Sequence, residues 1–419
     1  MTHADEEVFG CKIKLEELFK AYFDCRRNKR NTINALAFEV DYESKLIELC
    51  YEINSGTYQP GKSITFVVNQ PVKREIFAAD FRDRVVHHLI INKLNPFFEK
   101  DFINDSYSCR VGRGTSAGVK RLDSFIRCCS KNYSQDCYVL KIDIAGFFMN
   151  IDRDILFEKL KYFLDQKYCY EDKAVVLNLC KTIIYNDPTK NCVIKGSKSD
   201  WNDLPRNKSL FHSAQGCGLP IGNLTSQIFA NFYMNTFDHF VKDELTVRFY
   251  GRYVDDCVFV HQSKEYLGYL ITEVRRFLKL DVKLELHPKK IYLQHHTKGV
   301  KFLGVIVKPN RMYISNRTKG NFYAAIMKQN HVVESGCLTR ENKSAFLCSM
   351  NSYLGIMRQY KSYDIRLNMI IKYLSYWWWY HVYLDRGAAK FVMRCRGWID
   401  QRGLAILAGN RPFLQILFC

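Results

Sequence analysis

The chain has 419 residues, enough for about two or three domains or subdomains. Hydrophobic residues make up 47% of it, so a sizeable core can be buried and disorder throughout the chain is excluded. The formal net charge of +19 favours a polyanionic partner, with nucleic acid as the first choice and an anionic membrane surface as the second.

The cysteines and the first residues bear on the cellular compartment. The 16 cysteines are scattered without a Cys-x-x-Cys pair or zinc-site spacing. The first residues are polar and acidic, unlike a signal peptide. No apolar run approaches the roughly 20 residues that a membrane helix needs. These features predict free thiols in a reducing cytoplasm, and no membrane partner.

Hydrophobic periodicity predicts a first part that alternates helix and extended chain. The predicted elements are a helix over 12–52, a strand over 63–71, extended chain over 73–81, a helix over 82–98, a loop over 107–118 and a helix over 116–129. Pro96 should end or kink its helix, because proline lacks the amide hydrogen and clashes with the preceding turn.

The middle of the chain combines a strand, a capped helix and a polar stretch. The run over 137–143 is strand-like and carries Asp143 at its end. Asp152 has the position of an N-cap for a helix over 153–166. Residues 188–212 are polar and lack periodicity, which predicts an insertion or mobile loop, and a Gly/Pro turn follows over 216–222.

Tyr253-Val254-Asp255-Asp256 lies between two apolar runs, 247–251 and 257–261. This pattern predicts a β-hairpin with two adjacent carboxylates on its turn. The C-terminal part is then predicted as a helical stripe, a β-pair and a helical end. Its segments are the stripe from Leu267 to Leu278, the β-pair over 301–307 and 312–314, and helix from Thr339 with Phe346, Met350, Tyr353, Leu354 and Met357 on one face.

Asp143 and Asp255 are far apart in the sequence, so only a fold could bring them together. One acid at a strand end and two at a hairpin turn is the active-site plan of a palm polymerase. Such carboxylates hold two Mg²⁺ ions about 3.5–4 Å apart for phosphoryl transfer. Asp143, Asp255 and Asp256 supply the hard oxygens that Mg²⁺ prefers, and Mn²⁺ is expected to substitute.

Five segments in order resemble the palm motifs of bacterial reverse transcriptases. They are Lys-Ile-Asp-Ile-Ala-Gly-Phe-Phe-Met-Asn-Ile-Asp at 141–152, Gly-Leu-Pro-Ile-Gly-Asn-Leu-Thr-Ser-Gln at 218–227, Tyr-Val-Asp-Asp at 253–256, His-Pro-Lys-Lys at 287–290 and Lys-Phe-Leu-Gly at 301–304. The resemblance covers roughly 63–363. It implies an α+β right-hand polymerase fold with a C-terminal α-helical thumb, and an RNA-directed DNA polymerase activity.

Further segments are similar to the reverse transcriptases of diversity-generating retroelements. They are Arg-Glu-Ile at 74–76, Phe-Arg-Asp-Arg-Val-Val-His-His at 81–88, Asp-Ser-Tyr-Ser-Cys-Arg at 105–110, Gly-Arg-Gly-Thr at 112–115 and Asn-Ser-Tyr-Leu-Gly at 351–355. Most reverse transcriptases have Gln in place of Ile221 and Pro in place of Gln227. In the resembling family, errors opposite template adenines diversify a target gene by mutagenic retrohoming. An apolar Ile221 beside the nascent base pair is a candidate cause of such errors; the alternative is that it only packs the turn.

The resemblance also implies roles for individual residues. Phe148 would be the aromatic gate against a ribose 2′-hydroxyl, and the Ile144 carbonyl a further metal ligand. Lys289 would be the general acid for pyrophosphate departure. The remaining residues implied in substrate contact are Lys73, Arg74 and Arg82 for the triphosphate, Pro220, Ile221, Gly222 and Gln227 beside the incoming nucleotide, and Phe302, Leu303 and Gly304 in the primer grip.

The implied architecture places fingers and palm in residues 1–325, with the insertion at about 188–212, and a helical thumb in 326–419. No RNase H, endonuclease or integrase region is expected after the thumb. The implied partners are a template RNA, a cDNA or DNA primer, deoxynucleotides and a small basic accessory protein. Two alternatives stay open: a retron or antiphage reverse transcriptase, and a non-catalytic nucleic-acid-binding protein on a polymerase fold.

Overall fold

A computed structural model of the protein describes residues 12–27, 32–69, 72–336 and 338–394. Within these residues the chain divides into two compact units. The first unit runs up to Gln294 without Leu122–Arg127, and the second unit contains Leu122–Arg127 and the chain from His295 onward.

The first unit begins with helices around an apolar core. The helical region predicted over 12–52 is observed as separate helices. Asp41, with an extended φ of −151°, separates the second helix from the third. They are α1 (Leu15–Arg26), α2 (Ile33–Glu39) and α3 (Tyr42–Asn54). Strands β1 (Ser63–Val68) and β2 (Arg74–Ala78) follow as an antiparallel pair, in the regions predicted to be extended.

Helices α4 (Phe81–Asp101) and α5 (Thr115–Cys129) come next. The Asp80 carboxylate caps α4 by accepting the Arg82 amide at 3.0 Å. Of the two effects expected of Pro96, an end of the helix is wrong, since α4 continues to Asp101, while a kink stays a prediction. Leu94 and Phe98, on either side of the proline, are fully buried, and this packing stabilises the continued helix.

Strand β3 (Tyr138–Asp143) confirms the predicted strand and carries Asp143 at its end. The helices α6 (Phe147–Asn150), α7 (Arg153–Lys167) and α8 (Lys173–Tyr185) follow. Asp152 is the N-cap of α7, as predicted, because its carboxylate accepts the amides of Asp154 and Ile155, both at 3.0 Å.

The polar segment predicted as an insertion or mobile loop has regular structure. It contains β4 (Cys192–Ile194), which pairs in parallel with β1 and extends the sheet to the order β2-β1-β4. Three short 3₁₀ turns follow, at Lys198–Trp201, Arg206–Lys208 and Leu210–His212. Part of the segment therefore belongs to the same sheet as β1 and β2.

The central sheet of the first unit carries the predicted carboxylates at one end. After the Gly/Pro turn the chain forms α9 (Leu224–Tyr233), α10 (Asn235–His239) and a wider helical turn at Phe240–Glu244. The chain then forms β5 (Phe249–Tyr253), β6 (Asp256–His261), α11 (Lys264–Asp281) and β7 (Tyr292–His295). The strands have the order β5-β6-β3-β7, and β6 is antiparallel to both β5 and β3.

The second unit has its own apolar core, around Phe346, Met350, Leu354 and Trp378. Its elements are β8 (Val300–Phe302), β9 (Val305–Lys308), β10 (Arg311–Ile314), α12 (Asn316–Glu334), α13 (Arg340–Met357), α14 (Tyr363–Tyr373), β11 (Val382–Leu384) and β12 (Phe391–Met393). In the described part of the chain no helix is long and apolar enough to cross a membrane.

The compact units divide the chain earlier than the boundary expected at residue 325. Ile314, in the last strand of the β8–β10 sheet, is buried in the core of the second unit together with Phe322 of α12. The β8–β10 sheet therefore belongs with the helices that follow it. The assignment of fingers, palm and thumb stays a prediction, and residues 395–419 of the expected thumb lie outside the described residues.

We predict that Trp378 is the main packing residue of the second unit. It is fully buried, its ring stacks on Phe346 at 3.9 Å, and its indole N–H donates to the Gln329 carbonyl at 3.0 Å. Trp378→Ala should lower the free energy of unfolding by about 3–5 kcal/mol. Trp377, which is 55% exposed, provides the control, and Trp377→Ala should cost less than about 1 kcal/mol. Chemical denaturation followed by circular dichroism compares them, and similar losses in both variants would contradict this assignment.

Candidate functional site

The three predicted acids meet at one end of the central sheet. Asp143 ends β3 and is the cross-strand partner of Asp256, which begins β6. Tyr253 of β5 pairs with the same Asp256, so the turn between the strands consists of Val254 and Asp255. The predicted hairpin and the approach of Asp143 to it are both confirmed.

Lysine side chains neutralise part of this acidic cluster. The Lys290 ammonium lies 2.9 Å from Asp143 Oδ1, and the Lys141 ammonium lies 3.0 Å from Asp256 Oδ1. Burial, followed by the charge of Asp143, raises the pKa of the Asp255 carboxyl to about 6. Burial also raises the pKa of Asp256, against the opposing effect of Lys141. The cluster therefore holds unfavourable negative charge that a bound cation would stabilise.

The buried ion pair of Arg252 and Asp238 stabilises the hairpin. Arg252, fully buried in β5, donates to Asp238 through Nη2 at 2.6 Å and through Nε at 2.8 Å. Burial alone would lower the pKa of Arg252, but the charge of Asp238 raises it. Arg252 Nη1 also donates to the Val254 carbonyl at 3.0 Å. Val254 has a φ of +58°, which is costly for a β-branched residue, so Arg252 stabilises a strained turn.

Phe148 and Ile221 belong to one small apolar cluster. Both are half-buried against Phe77, Met149 and Leu210. The Ile221 carbonyl accepts the Phe77 amide at 2.8 Å, and this bond joins the Gly/Pro turn to β2. Phe147 is buried, as expected for a core residue.

The rest of the Gly/Pro turn is close to the same strand. A side chain at Gly222, whose φ is +128°, would approach the Phe77 carbonyl to 2.9 Å, so glycine is required there. Pro220 is half-buried beside Ile221. Gln227, in α9, is exposed, and its side-chain oxygen accepts the Cys109 thiol at 3.1 Å.

The predicted triphosphate cations are in different surroundings. Lys73 donates to the Asn202 carbonyl. Arg74 is exposed, and its charge acts on Tyr253 of the hairpin. Arg82 pairs with Glu52 and lies 5.2 Å from the Tyr58 ring. The contacts of Arg82 are therefore with the N-terminal helices rather than with the acidic cluster.

The structure distinguishes Lys289 from its neighbour. Lys289 is exposed, whereas Lys290 contacts Asp143. The Ile144 carbonyl is oriented away from the adjacent bridge to Leu286, which uses the Asp143 carbonyl and the Ala145 amide instead. That orientation is compatible with the ligand role predicted for Ile144.

The predicted primer grip lies in the second unit, at the turn between β8 and β9. Phe302 is fully buried, while Leu303 and Gly304 have positive φ values of 48° and 83°. The Gly304 carbonyl accepts the Ser315 amide at 3.0 Å, which ties the turn to the start of α12. A primer contact at this turn stays a prediction.

A protein-family comparison decides the identity of the fold. The model described as "Reverse transcriptase (RNA-dependent DNA polymerase)" matches residues 72–307, which is more than half of the chain. The chain belongs to the reverse transcriptase family. Its mixed helix-and-strand architecture is thus the right-hand polymerase-like fold that was predicted. The family activity is RNA-directed DNA polymerisation, a nucleotidyl transfer on an RNA template and a nucleic-acid primer.

Individual relatives of this reverse transcriptase are distant. Protein YkfC of Escherichia coli (strain K12) is 22% identical over 287 residues, which cover 60% of this chain and 68% of YkfC. Apo telomerase from Candida tropicalis, truncated from its C-terminal domain, is similar with a TM-score of 0.44 and 12% identity over 65% of this chain. Telomerase from Candida albicans in complex with the TWJ fragment of telomeric RNA has the same TM-score and identity over 82% of this chain. The chain spans 60% of each telomerase chain.

Reverse transcriptases use divalent metal ions, and the acidic cluster suits one chemically. Its donors are hard carboxylate oxygens, and the pKa of Asp255 is raised first by burial and then by the charge of Asp143, both of which a cation would offset. As they stand, no three His, Cys, Asp or Glu side chains in the described residues converge closely enough to hold a metal. Asp143, Asp255 and Asp256 would hold the ion, and it would displace the ammonium groups of Lys141 and Lys290 from their oxygens.

Sequence reasoning missed the residues that support the cluster. Lys141 could have been found, because it lies two residues before Asp143 on the same strand and therefore on the same face. Arg252 gave a weaker signal, as a charged residue next to the hairpin motif in an otherwise apolar strand. Its partner Asp238 gave none that could be separated from an ordinary helical acid.

We predict that removing Arg252 disrupts the hairpin. Arg252→Met leaves Asp238 buried without its partner, so the free energy of unfolding should fall by about 3–5 kcal/mol and primer extension should be lost. Arg276→Met is the control, because Arg276 pairs with Glu273 at 3.0 Å on an exposed surface and should contribute less than about 1 kcal/mol. Urea denaturation gives the comparison. An Arg252→Met variant as stable and active as Arg276→Met would disprove the supporting role.

We also predict a pH-dependent stability that originates at Asp255. Its folded pKa of about 6 lies above its ordinary value of about 3.9, so the folded state binds more protons between these two pH values. Stability should therefore fall as pH rises through this window. Asp255→Asn removes the effect and should be about 1–2 kcal/mol more stable than the parent at pH 7, with no difference near pH 4.

Urea denaturation with a chelator present, at pH 4, 5, 6 and 7, measures this difference. Asp165→Asn controls for charge removal, since Asp165 pairs with Lys173 on the exposed surface. A difference for Asp255→Asn that is constant with pH would show that its carboxyl does not titrate in this window.

Proposed function

We propose that this reverse transcriptase copies a template RNA into cDNA by nucleotidyl transfer at Asp143, Asp255 and Asp256, with two Mg²⁺ ions as the metal and Mn²⁺ as a substitute. The observation that carries the proposal is the placement of Asp143 and Asp256 as cross-strand partners, with Asp255 on the adjoining turn. Two metal ions there would activate the primer 3′-hydroxyl and stabilise the leaving pyrophosphate.

Basic residues near the Gly/Pro turn would act on the triphosphate. Lys73 directly precedes β2 and Arg74 begins it, and the same strand contacts Ile221, so phosphate binding there is compatible with the position of the Gly/Pro turn. Lys289, which is exposed, would transfer the proton to the departing pyrophosphate, and its neighbour Lys290 compensates the charge of Asp143. Arg82 would support the fold through Glu52.

We further propose the error-prone, diversity-generating function. The contact of Ile221 and Phe148 with the same cluster supports it, since the residue expected beside the nascent base pair is apolar and adjoins the expected ribose gate. An apolar side chain offers no hydrogen bond there, so discrimination between base pairs would rest on shape alone.

A small basic accessory protein would find an acidic surface on the N-terminal helices. Residues 32–54 contain five acidic residues and one basic residue in a chain of net charge +19. Glu39 and Glu52 pair with Arg26 and Arg82, and the other three, Asp41, Glu43 and Glu48, are exposed. Ile33, Val40 and Tyr51 of the same segment are largely exposed, at 83%, 87% and 70%. This combination suits a basic partner with some apolar contact. The cytoplasmic location and the thumb assignment are further proposals.

Primer extension on a heteropolymeric RNA, followed by product sequencing, tests the function. We expect Mg²⁺-dependent extension, its loss by at least roughly a thousandfold in Asp255→Asn, and errors concentrated at template adenines. Ile221→Gln should reduce those errors. Accurate extension by the parent would place the protein in another reverse transcriptase class, such as a retron or antiphage enzyme. Nucleic-acid binding without extension, even with the accessory protein and its RNA present, would indicate a non-catalytic protein.

A further inference from the structure

Glu75 is a buried carboxylate with an unusual set of partners. It lies in β2 and is fully inaccessible to solvent. Oε1 accepts the Leu210 amide at 2.6 Å, and Oε2 accepts the Trp201 indole N–H at 2.6 Å and the Ser209 hydroxyl at 2.7 Å. All three partners lie more than a hundred residues away in the sequence, in the segment 195–213, which we name the strap.

The strap has further contacts with the nucleotide side of the site. The Asn202 carbonyl accepts from Lys73. Phe211 packs on Phe77 with ring centroids 5.4 Å apart. A side chain at Gly146, directly before α6, would lie 3.1 Å from the Asn207 carbonyl. The strap therefore reaches both β2 and the turn that precedes Phe148.

Leu210 connects Glu75 to the proposed selectivity residues. Its amide binds Glu75, and its side chain belongs to the apolar cluster against which Phe148 and Ile221 pack. Its side chain also blocks space at Gly218, where a side chain would approach Leu210 Cδ1 to 2.6 Å. Leu219 of the same turn donates to the Phe148 carbonyl at 2.8 Å. A shift of Leu210 would therefore move the Gly/Pro turn and Phe148 together.

We propose that Glu75 is a positioning residue for nucleotide selection: by holding the strap, it sets the separation of Phe148 and Ile221. This inference rests on the proposed function for the roles of those two residues. Glu75 itself is buried beneath its partners and cannot contact the substrate, so it would act through Leu210. The substrate feature concerned is the ribose 2′-position together with the nascent base pair.

The two acceptor oxygens of the Glu75 carboxylate allow a test by a substitution of the same shape. Glu75 presents oxygen acceptors on both sides, and each side faces an N–H donor. Glu75→Gln keeps the shape but turns one acceptor into an NH₂ donor, which then opposes either the Leu210 amide or the indole of Trp201. Trp201→Phe removes one donor while keeping a ring against Phe211.

Single-nucleotide incorporation by the full chain on an RNA template measures the effect. For each variant, kcat and KM are determined for a deoxynucleotide, the matching ribonucleotide and a mismatched deoxynucleotide. We expect Glu75→Gln to change both selectivity ratios by roughly tenfold, because a misplacement of about 1 Å can alter rates up to about a hundredfold. Trp201→Phe should change them in the same direction by less.

Asp172→Asn is the matched control, since Asp172 is a buried carboxylate bound to Tyr168 at 3.0 Å and Lys93 at 2.6 Å, outside the cluster. It should lower stability and leave both ratios unchanged. Unchanged ratios in Glu75→Gln and Trp201→Phe, whatever their stability, would overturn the inference. If Glu75→Gln does not fold, Trp201→Phe and Ser209→Ala decide the question with the same ratios.

Phe148→Ala and Ile221→Gln separate this inference from the proposed function. Changed ratios in these variants with unchanged ratios in the Glu75 and Trp201 variants would overturn the inference alone. Changed ratios in the Glu75 and Trp201 variants, without any in Phe148→Ala and Ile221→Gln, would support a selective strap and remove the roles assigned to Phe148 and Ile221.

Discussion

Repulsion among three carboxylates at the end of the central sheet is the constraint on which the rest of the first unit depends. Asp143 and Asp256 are cross-strand partners, a position in which like charges are destabilising. Asp255 adds a third charge on the adjoining turn, where burial raises its pKa. A fold that retains such a cluster without metal needs nearby cations and a rigid backbone, and Lys141, Lys290 and the Arg252–Asp238 pair supply both.

The Arg252–Asp238 pair that stabilises the backbone is buried, whereas Lys290, which compensates the charge of Asp143, is partly exposed. Arg252 and Asp238 are inaccessible, so their geometry is fixed by several hydrogen bonds and neither can leave without an uncompensated charge. The Lys290 side chain is 46% exposed, so its ammonium can also reach water. The buried pair thus holds the turn, and the exposed lysine compensates the charge of Asp143.

How much was predictable follows from the range of the interactions. The hairpin, the strand that ends in Asp143 and the N-cap Asp152 depend on local patterns, and each was predicted correctly. The helix over 82–98 was also predicted, but it does not end at Pro96, because packing of Leu94 and Phe98 outweighs that local signal. Residues 188–212 show no period, so β4 and the contacts to Glu75 could not be predicted; their partners are supplied by strands more than a hundred residues earlier. The pair Arg252–Asp238 likewise exists only after folding.

Glu75 and Asp238 show how this chain uses single buried acids to connect distant segments. Each accepts more than one hydrogen bond from another segment: Asp238 from Tyr250 and Arg252 of β5, and Glu75 from the three strap residues. An acid buried in this way is stable only when all its partners are present, which makes the arrangement all-or-none. Asp238 holds the hairpin that carries Asp255 and Asp256, and Glu75 holds the strap beside Phe148 and Ile221. Because the two acids hold different segments, the proposed change of selectivity at Glu75 would leave the three carboxylates in place.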